Sequence, residues 1–163
     1  MNMAFKAVDV VGVIGDIVAT LDGVFFKHGE GIEVFNRILE EGNAQMQTFP
    51  LIYLKQDFKE TSNPETETTD VRLNLFILLP TKIDINAEER RNTSFIPILY
   101  PIYNDLMNAL VANKSIQDEN GKKWHSHDKW DRMFWGTESI KGNTPLDVIE
   151  IENLELKIIN KRC

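Results

Sequence analysis

The chain is poor in cysteine, in long apolar runs and in basic residues, and each shortage argues against a class of protein. Its one cysteine, Cys163, allows no internal disulfide, so a disulfide-stapled scaffold or a thiolate metal cage within one chain is excluded. No stretch approaches the roughly 18 apolar residues that a membrane-spanning helix needs. Its 18 basic residues against 25 acidic ones give a net charge of −7. This balance argues against a large nucleic-acid-binding surface, because phosphate contacts need clustered lysine and arginine.

Sequence signatures of common enzyme sites are also missing. The chain has no G-x-S-x-G elbow, P-loop, G-x-G-x-x-G run or H-E-x-x-H pair, and Gly29-Glu30-Gly31 alone is very weak evidence for phosphate binding. We therefore predict no enzymatic activity, no catalytic residue and no cofactor.

The remaining composition is that of an ordinary globular protein, with 42% hydrophobic and 26% charged residues. The length suits one domain over residues 1–163. Asp9 and Asp16 interrupt the apolar beginning of the chain, which argues against a signal peptide. We expect a soluble, acidic, single-domain protein of a reducing compartment.

Two amphipathic helices are predicted. In the first, apolar residues recur from Val10 to Leu21 at helical spacing, with Asp9 as N-cap and Gly23 as the stop. Its internal glycines weaken the helix by about 1 kcal/mol each or mark close packing against another backbone. The second lies within Asn86–Ala112, with Thr93 or Ser94 as a possible cap. Because Pro101 breaks an α-helical ladder, we expect a kink there or a main helix that starts near it.

Three segments predict strands. Residues 49–54 are rich in β-formers, and residues 71–79 alternate between apolar and polar before becoming apolar on both faces. Together they indicate a long hairpin, and the acidic segment 61–70 is its polar tip or a flexible arm that orders against a neighbouring subunit. Residues 147–159 change phase near Glu152-Asn153, which predicts a β-bulge. The run IEVFNRIL at 32–39 fits a strand or a helical turn.

Residues 113–147 predict a long polar connection that contains all three tryptophans and is either functional or holds its own hairpin. The fold class that follows is α+β, an antiparallel or mixed sheet with a long hairpin, flanked by two main helices.

That connection contains two candidate sites. His125, His127 and Asp128 carry ligand types that hold Zn²⁺, and the alternative is a polar loop whose histidines are sometimes protonated. Lysines and Arg132 interleave with tryptophans, as in proteins that bind single strands, but neighbouring aspartates leave a local surplus of two positive charges. We favour tryptophans that anchor the segment on the core or on a partner.

The order of elements resembles one family. A leading helix precedes the strand FPLIYL, a polar tip leads into VRLNLFILLP, and a helix ending IYNDLMNALV precedes the strand IENLELKI. This order resembles that of the tail-completion and neck proteins of tailed bacteriophages, including tail-terminator proteins, over roughly residues 8–159.

The resemblance implies a structural virion protein, made in the bacterial host cytoplasm and located in the neck or tail. Copies would form a ring, taken as a hexamer, that docks to tail-tube, neck or portal-adaptor proteins while DNA passes without specific binding. A closed ring also hides hairpin edges by heterologous pairing. The predicted subunit contacts are the hairpin and the tryptophan segment, namely Tyr53, Phe58, Glu65, Glu67, Arg72, Trp124, Trp130 and Trp135. The alternatives are a small metal-binding module or metal-dependent enzyme built on His125, His127 and Asp128, and a peptide-binding module that uses a free sheet edge.

Overall fold

The computed structural model describes residues 6–29, 49–82, 84–123, 125–135 and 146–160. Six strands form one mixed sheet: β1 (Phe25–Gly29), β2 (Leu51–Lys55), β3 (Lys59–Asn63), β4 (Thr68–Pro80), β5 (His125–Trp135) and β6 (Leu146–Ile159). The helices are α1 (Val10–Ala19), α2 (Ala87–Arg90), a π-helical segment (Arg91–Leu99) and α3 (Tyr100–Ala112). The predicted α+β class is confirmed. None of the described helices has the length and apolar character needed to cross a membrane.

The two longest strands, β4 and β6, form the centre of the sheet. They pair antiparallel, and the strand order is β1-β2-β4-β6-β5. Strand β1 runs parallel to β2, while β2 pairs antiparallel with residues 75–78 of β4. Strand β3 pairs with residues 68–72 of the same strand, so it lies on the side of β4 that β2 occupies further along. The predicted hairpin is therefore present, with β3 as a strand that the sequence did not indicate.

The acidic tip is a short hairpin turn. Only residues 64–67 form the turn, since the residues on either side pair in β3 and β4. The Asn63 side chain accepts hydrogen bonds from the backbone N–H groups of Glu65 and Thr66 at 3.0 and 3.4 Å, and Glu67 adopts a φ of 55°. This local bonding explains why the expected loop narrows to four residues.

The predicted bulge in β6 is confirmed at Asn153. Opposite β4, Leu73 pairs with Leu154 and Leu75 pairs with Ile151, so β6 holds one extra residue between them. Asn153 has a φ of 51°, and its N–H donates to the Asn74 side chain at 2.9 Å. Since the extra residue reverses the alternation, the apolar residues before and after it share one face of the sheet.

The sheet therefore has two different faces. The helices cover the face named here the helix-side face, where α1, the π segment and α3 pack on a large buried cluster from β2, β4 and β6. The opposite face, named the far face, carries a smaller buried cluster at one end, formed by Leu51, Tyr53, Phe76, Leu78, Leu146 and Val148. The other end of the far face is charged and includes the Arg72–Glu155 ion pair.

Helix α1 begins as predicted. The Asp9 side chain accepts from the Gly12 N–H at 3.0 Å, and Gly23, with φ of 69°, lies in the turn that follows the helix. The two internal glycines face side chains and not another backbone. A Cβ at Gly12 would lie 2.3 Å from the Asp9 carboxylate, and one at Gly15 would lie 3.2 Å from the Phe26 ring. The first glycine thus leaves room for the cap.

The second helix starts earlier than the expected caps. Asn86 and Glu89 form a reciprocal capping box, so neither Thr93 nor Ser94 caps it. Pro97 lies inside the π segment, and α3 starts at Tyr100, next to Pro101, as one of the two alternatives predicted. A proline ring clashes with the carbonyl four residues earlier in an α-helix, and wider π-helical turns make room for it.

A buried ion pair joins the start of this helix to β6. Arg90 is 1% exposed and Asp147 is fully buried, and Arg90 Nη1 lies 3.4 Å from Asp147 Oδ1. The guanidinium also donates to Thr81 Oγ1 and to the carbonyls of Lys82 and Ile85. Charged side chains are almost never this buried unless they are paired. This pair fixes the segment between β4 and α2.

The prediction of a connection over 113–147 is wrong for residues 125–135, which form β5. This strand pairs antiparallel with β6. It escaped prediction because its exposed position requires no apolar alternation. The run IEVFNRIL and Trp124 lie outside the described residues.

Candidate interaction surfaces

Strand β5 is an edge of the sheet, and its two faces differ in chemistry. Alternation directs His125, His127, Lys129 and Asp131 toward the helices. Ser126, Asp128, Trp130 and Arg132 belong to the far face. Most of these side chains are exposed. Strand β5 therefore presents two polar surfaces and one free backbone edge within the described part of the chain.

On the helix side, two tyrosines of α3 bind β5. Tyr103 OH lies 2.6 Å from His127 Nε2, and Tyr100 OH donates to Asp131 at 2.5 Å. Lys129 bonds Asp131 at 2.6 Å, and its ammonium lies 4.8 Å from the centre of the Tyr100 ring. These contacts hold the edge strand to the helix through hydrogen bonds and a cation–π contact.

The pKa values of three side chains in this region are shifted. Burial lowers the pKa of His127, with a further contribution from His125. The hydrogen bond to Asp131 raises the pKa of Tyr100, and burial raises that of Tyr103. Depending on the tautomer of a neutral His127, its Nε2 accepts from or donates to Tyr103 OH, and the other ring nitrogen is Nδ1. That nitrogen is buried with no hydrogen-bond partner among the described residues.

The structure does not bring the three predicted metal ligands together. The rings of His125 and His127 stack with centroids 5.9 Å apart, but His127 Nε2 is taken by Tyr103. Asp128 follows in the strand, so alternation directs it to the far face. Within the described ranges, no three His, Cys, Asp or Glu side chains form a group that could hold a metal ion.

On the far face, Trp130 is held by charged neighbours. It is 48% exposed, its Nε1 donates to Glu152 at 3.0 Å, and the Arg132 guanidinium lies 4.8 Å from its ring centre. Arg132 Nε also donates to Glu150 at 3.0 Å, and burial raises the pKa of that carboxyl despite the arginine. Trp130 is thus an ordered, exposed ring that does not anchor the strand on the core. The side chain of Trp135 lies outside the described residues.

The basic residues of this region form no continuous positive surface. Lys123 Nζ donates to the carbonyls of Asn113 and Ile116, which ties it to the turn after α3. Lys129 and Arg132 are each paired with an acid. This arrangement does not favour nucleic-acid binding.

The predicted contact residues of the hairpin divide into buried and exposed ones. Tyr53 is buried in the far-face cluster and donates to the Gly29 carbonyl at 2.9 Å, and Phe58 packs half-buried against the helix-side core. A neighbouring subunit cannot reach Tyr53 in this conformation. Glu65 is exposed in the turn, Glu67 is half-buried, and Arg72 is exposed and bonds Glu155. The accessible part of the hairpin is its tip and β3.

Sequence reasoning missed Tyr100 and Tyr103 as polar contacts. Their spacing of three places both tyrosines on one side of the helix. No sequence signal shows that β5 lies beside them.

The chain shows no match to models of known protein families, and no curated protein is significantly similar to it.

Proposed function

We propose that the protein is a non-enzymatic structural subunit of a tailed bacteriophage, which assembles into a ring at the head–tail junction or at the tail end. The observation that carries the proposal is the β3–β4 hairpin. All five β3 residues are exposed, and among the described strands β3 pairs only with β4. The order of helices and strands, which resembles that of tail-completion and neck proteins, supports the same function.

The hairpin suits a ring contact because β3 is exposed and lies on the side of β4 opposite to β6 and β5. A strand with unpaired N–H and C=O groups pairs readily with another chain. When it meets a different surface of the next copy, the contact is heterologous, and its repetition gives a closed ring when the rotation per copy divides a full turn. We take the ring to have six copies.

The charge fits a channel that DNA passes without binding. The net charge is −7, and two of the acidic residues are the glutamates of the turn at 64–67. Carboxylates that face a lumen repel phosphates instead of trapping them. In this proposal the ring docks to tail-tube, neck or portal-adaptor proteins and needs no cofactor.

The test is the assembly state of the full chain, measured by native mass spectrometry and negative-stain microscopy over a wide concentration range. We expect rings of about six times the 18.8 kDa subunit mass. A chain that stays monomeric at every concentration would contradict the proposal, and capture of a peptide by that monomer would favour the peptide-binding alternative.

Two proline variants, Thr61→Pro and Ser62→Pro, locate the contact. Successive N–H groups in a strand point to opposite sides, so one of the two prolines removes only the outward N–H of β3. The variant that unfolds at the wild-type temperature is the informative one. We expect it to remain folded and lose the ring. Intact rings in that variant would show that the outer edge of β3 is not the contact.

A further inference from the structure

The free edge of β5 is unusual for its length and composition. The strand has 11 residues, contains neither proline nor glycine, and is the last strand on its side of the sheet within the described residues. Ser126 and the four residues from Asp128 to Asp131 are exposed. Natural edges are usually short, interrupted or charged, because a long free edge is a template for pairing with another chain, and β5 is protected only by its charges. The composition of β5 indicates which chain pairs with this edge.

The charges of β5 are symmetric about Trp130. In an antiparallel pair of two identical strands centred there, Asp128 faces Arg132 of the other copy and Lys129 faces Asp131 of the other copy. Each of these two contacts occurs twice around the axis, so the pairing has four opposite-charge contacts and none between like charges. Strand β3 has no such symmetry, because its two charges, Lys59 and Glu60, are adjacent at one end.

We propose that β5 pairs antiparallel with β5 of a second copy of this chain, around a two-fold axis at Trp130. The contact joins two six-stranded sheets into one continuous sheet. It is isologous, so it closes with two copies. Main-chain hydrogen bonds supply the attraction, and the charge pattern sets the register.

On the far face, three side chains are positioned for this contact. The two Trp130 rings lie directly opposite each other, at the position where cross-strand aromatic pairs stabilise a sheet. Glu152 and Arg132 already hold the ring in place. Asp128 is exposed and makes no ion pair within the described part of the chain, so Arg132 of the second copy is its natural partner. Within its own copy, Arg132 bonds Glu150 through Nε.

On the helix-side face the pairing extends an existing ion pair. Lys129 and Asp131 of one copy are 2.6 Å apart, and those of the second copy lie across the axis in reversed order. The result is a network of four charges with alternating sign. Opposite charges across strands favour this register, and a shift of two residues would place Trp130 opposite Asp128 or Arg132.

This contact does not depend on the proposed ring. It uses the edge opposite to that of the hairpin, so loss of one contact leaves the other surface intact. Ring formation and two-fold pairing can therefore be tested separately in the same protein.

Two charge variants of the full chain, Asp128→Arg and Arg132→Asp, test the pairing. Each places like charges opposite each other twice, so we expect each to dimerise at least about tenfold more weakly than the wild type at low ionic strength. In an equal mixture, however, each of the two contacts joins an arginine to an aspartate, because Asp128→Arg has arginine at both positions and Arg132→Asp has aspartate at both. We therefore expect a heterodimer that neither variant forms with itself.

The measurements are sedimentation equilibrium for the dissociation constants and native mass spectrometry for the mixture. Asp22→Arg is the matched control, because it changes the charge equally in the exposed turn after α1, outside β3 and β5, and it should dimerise as the wild type does. Any of three results overturns the two-fold contact. The wild type forms neither dimers nor pairs of rings, Asp128→Arg dimerises normally, or the mixture yields no heterodimer. Rings that persist in both charge variants would leave the proposed function standing in each of these cases.

Discussion

Removal of the charge of Asp147 should destabilise the protein far more than removal of a surface charge. The carboxylate is fully buried beside Arg90, which is 1% exposed. In Asp147→Asn the guanidinium keeps its hydrogen bonds to neutral acceptors but loses the buried counter-charge of Asp147. Breaking a buried pair by removing one partner costs about 3–5 kcal/mol. Because Nη1 and Oδ1 are as far apart as 3.4 Å, we expect about 3 kcal/mol.

The opposite change should cost more. In Arg90→Met the carboxylate of Asp147 has neither oxygen paired among the described residues, since Oδ2 has no partner even in the wild type. The carbonyls of Lys82 and Ile85 also lose a donor. Each unsatisfied buried group costs about 1–3 kcal/mol, so we expect at least about 4 kcal/mol. The double variant Arg90→Met/Asp147→Leu removes both charges and should cost less than the sum of the single changes.

Urea unfolding followed by circular dichroism measures these differences. With a slope of about 2–3 kcal/mol per molar urea, a loss of about 3 kcal/mol lowers the midpoint by about 1–1.5 M. Asp70→Asn is the matched control, because its partner Lys157 lies 3.6 Å away on the surface, and such pairs contribute about 0–1 kcal/mol. If Asp147→Asn costs no more than this control, or if the single costs simply add in the double variant, the buried charges are not coupled as argued here.

Three further predictions concern single side chains. The pKa of His127 is lower in the folded protein than its ordinary value of 6.5, so the free energy of unfolding should fall as pH drops from 7.5 to 5.5. In urea titrations, His127→Gln should show a weaker decrease over this pH range than the exposed control His28→Gln. Gly12→Ala should change thermal stability little, because its gain of about 1 kcal/mol in helix propensity is offset by displacement of the Asp9 cap, whereas in an Asp9→Ala background it should stabilise by about 1 kcal/mol. Tyr53→Phe should cost about 1 kcal/mol in urea unfolding, since it removes the donor to the carbonyl at the end of β1, and an unchanged midpoint would refute a net contribution from that bond.

Apolar periodicity revealed the elements that bury one face. Helix α1, β2, β4 and β6 were predicted because each sends regularly spaced apolar side chains into the core. Even the bulge at Asn153 was visible, since it reverses the phase of that pattern. The three missed strands, β1, β3 and β5, are all edge strands of the sheet that the described residues form, and most of their described side chains are exposed. A strand held mainly by backbone pairing leaves little trace in the order of polar and apolar residues.

The candidate contacts were predicted less well because they depend on which segments become neighbours. The residues of β5 were identified as chemically unusual, but their division between two faces required knowing that they form a strand. Arg90 and Asp147 lie 57 residues apart and resemble ordinary surface charges in the sequence. Their burial follows from the pairing of β4 with β6, which no local pattern encodes.

The bulge at Asn153 reverses the alternation of β6, and the pairing of β6 with both neighbouring strands shifts with it. The pairings with β4 and β5 shift at the same place, so one extra residue sets the alignment on two sides. Deletion of that residue would turn Leu154, Leu156 and Ile158 away from the helices and bring Glu155 and Lys157 into the core. The second half of β6 should therefore tolerate no insertion or deletion of a single residue during evolution, whereas its outward-facing positions can vary. Length variation in this fold is expected in its turns and not within its central strands.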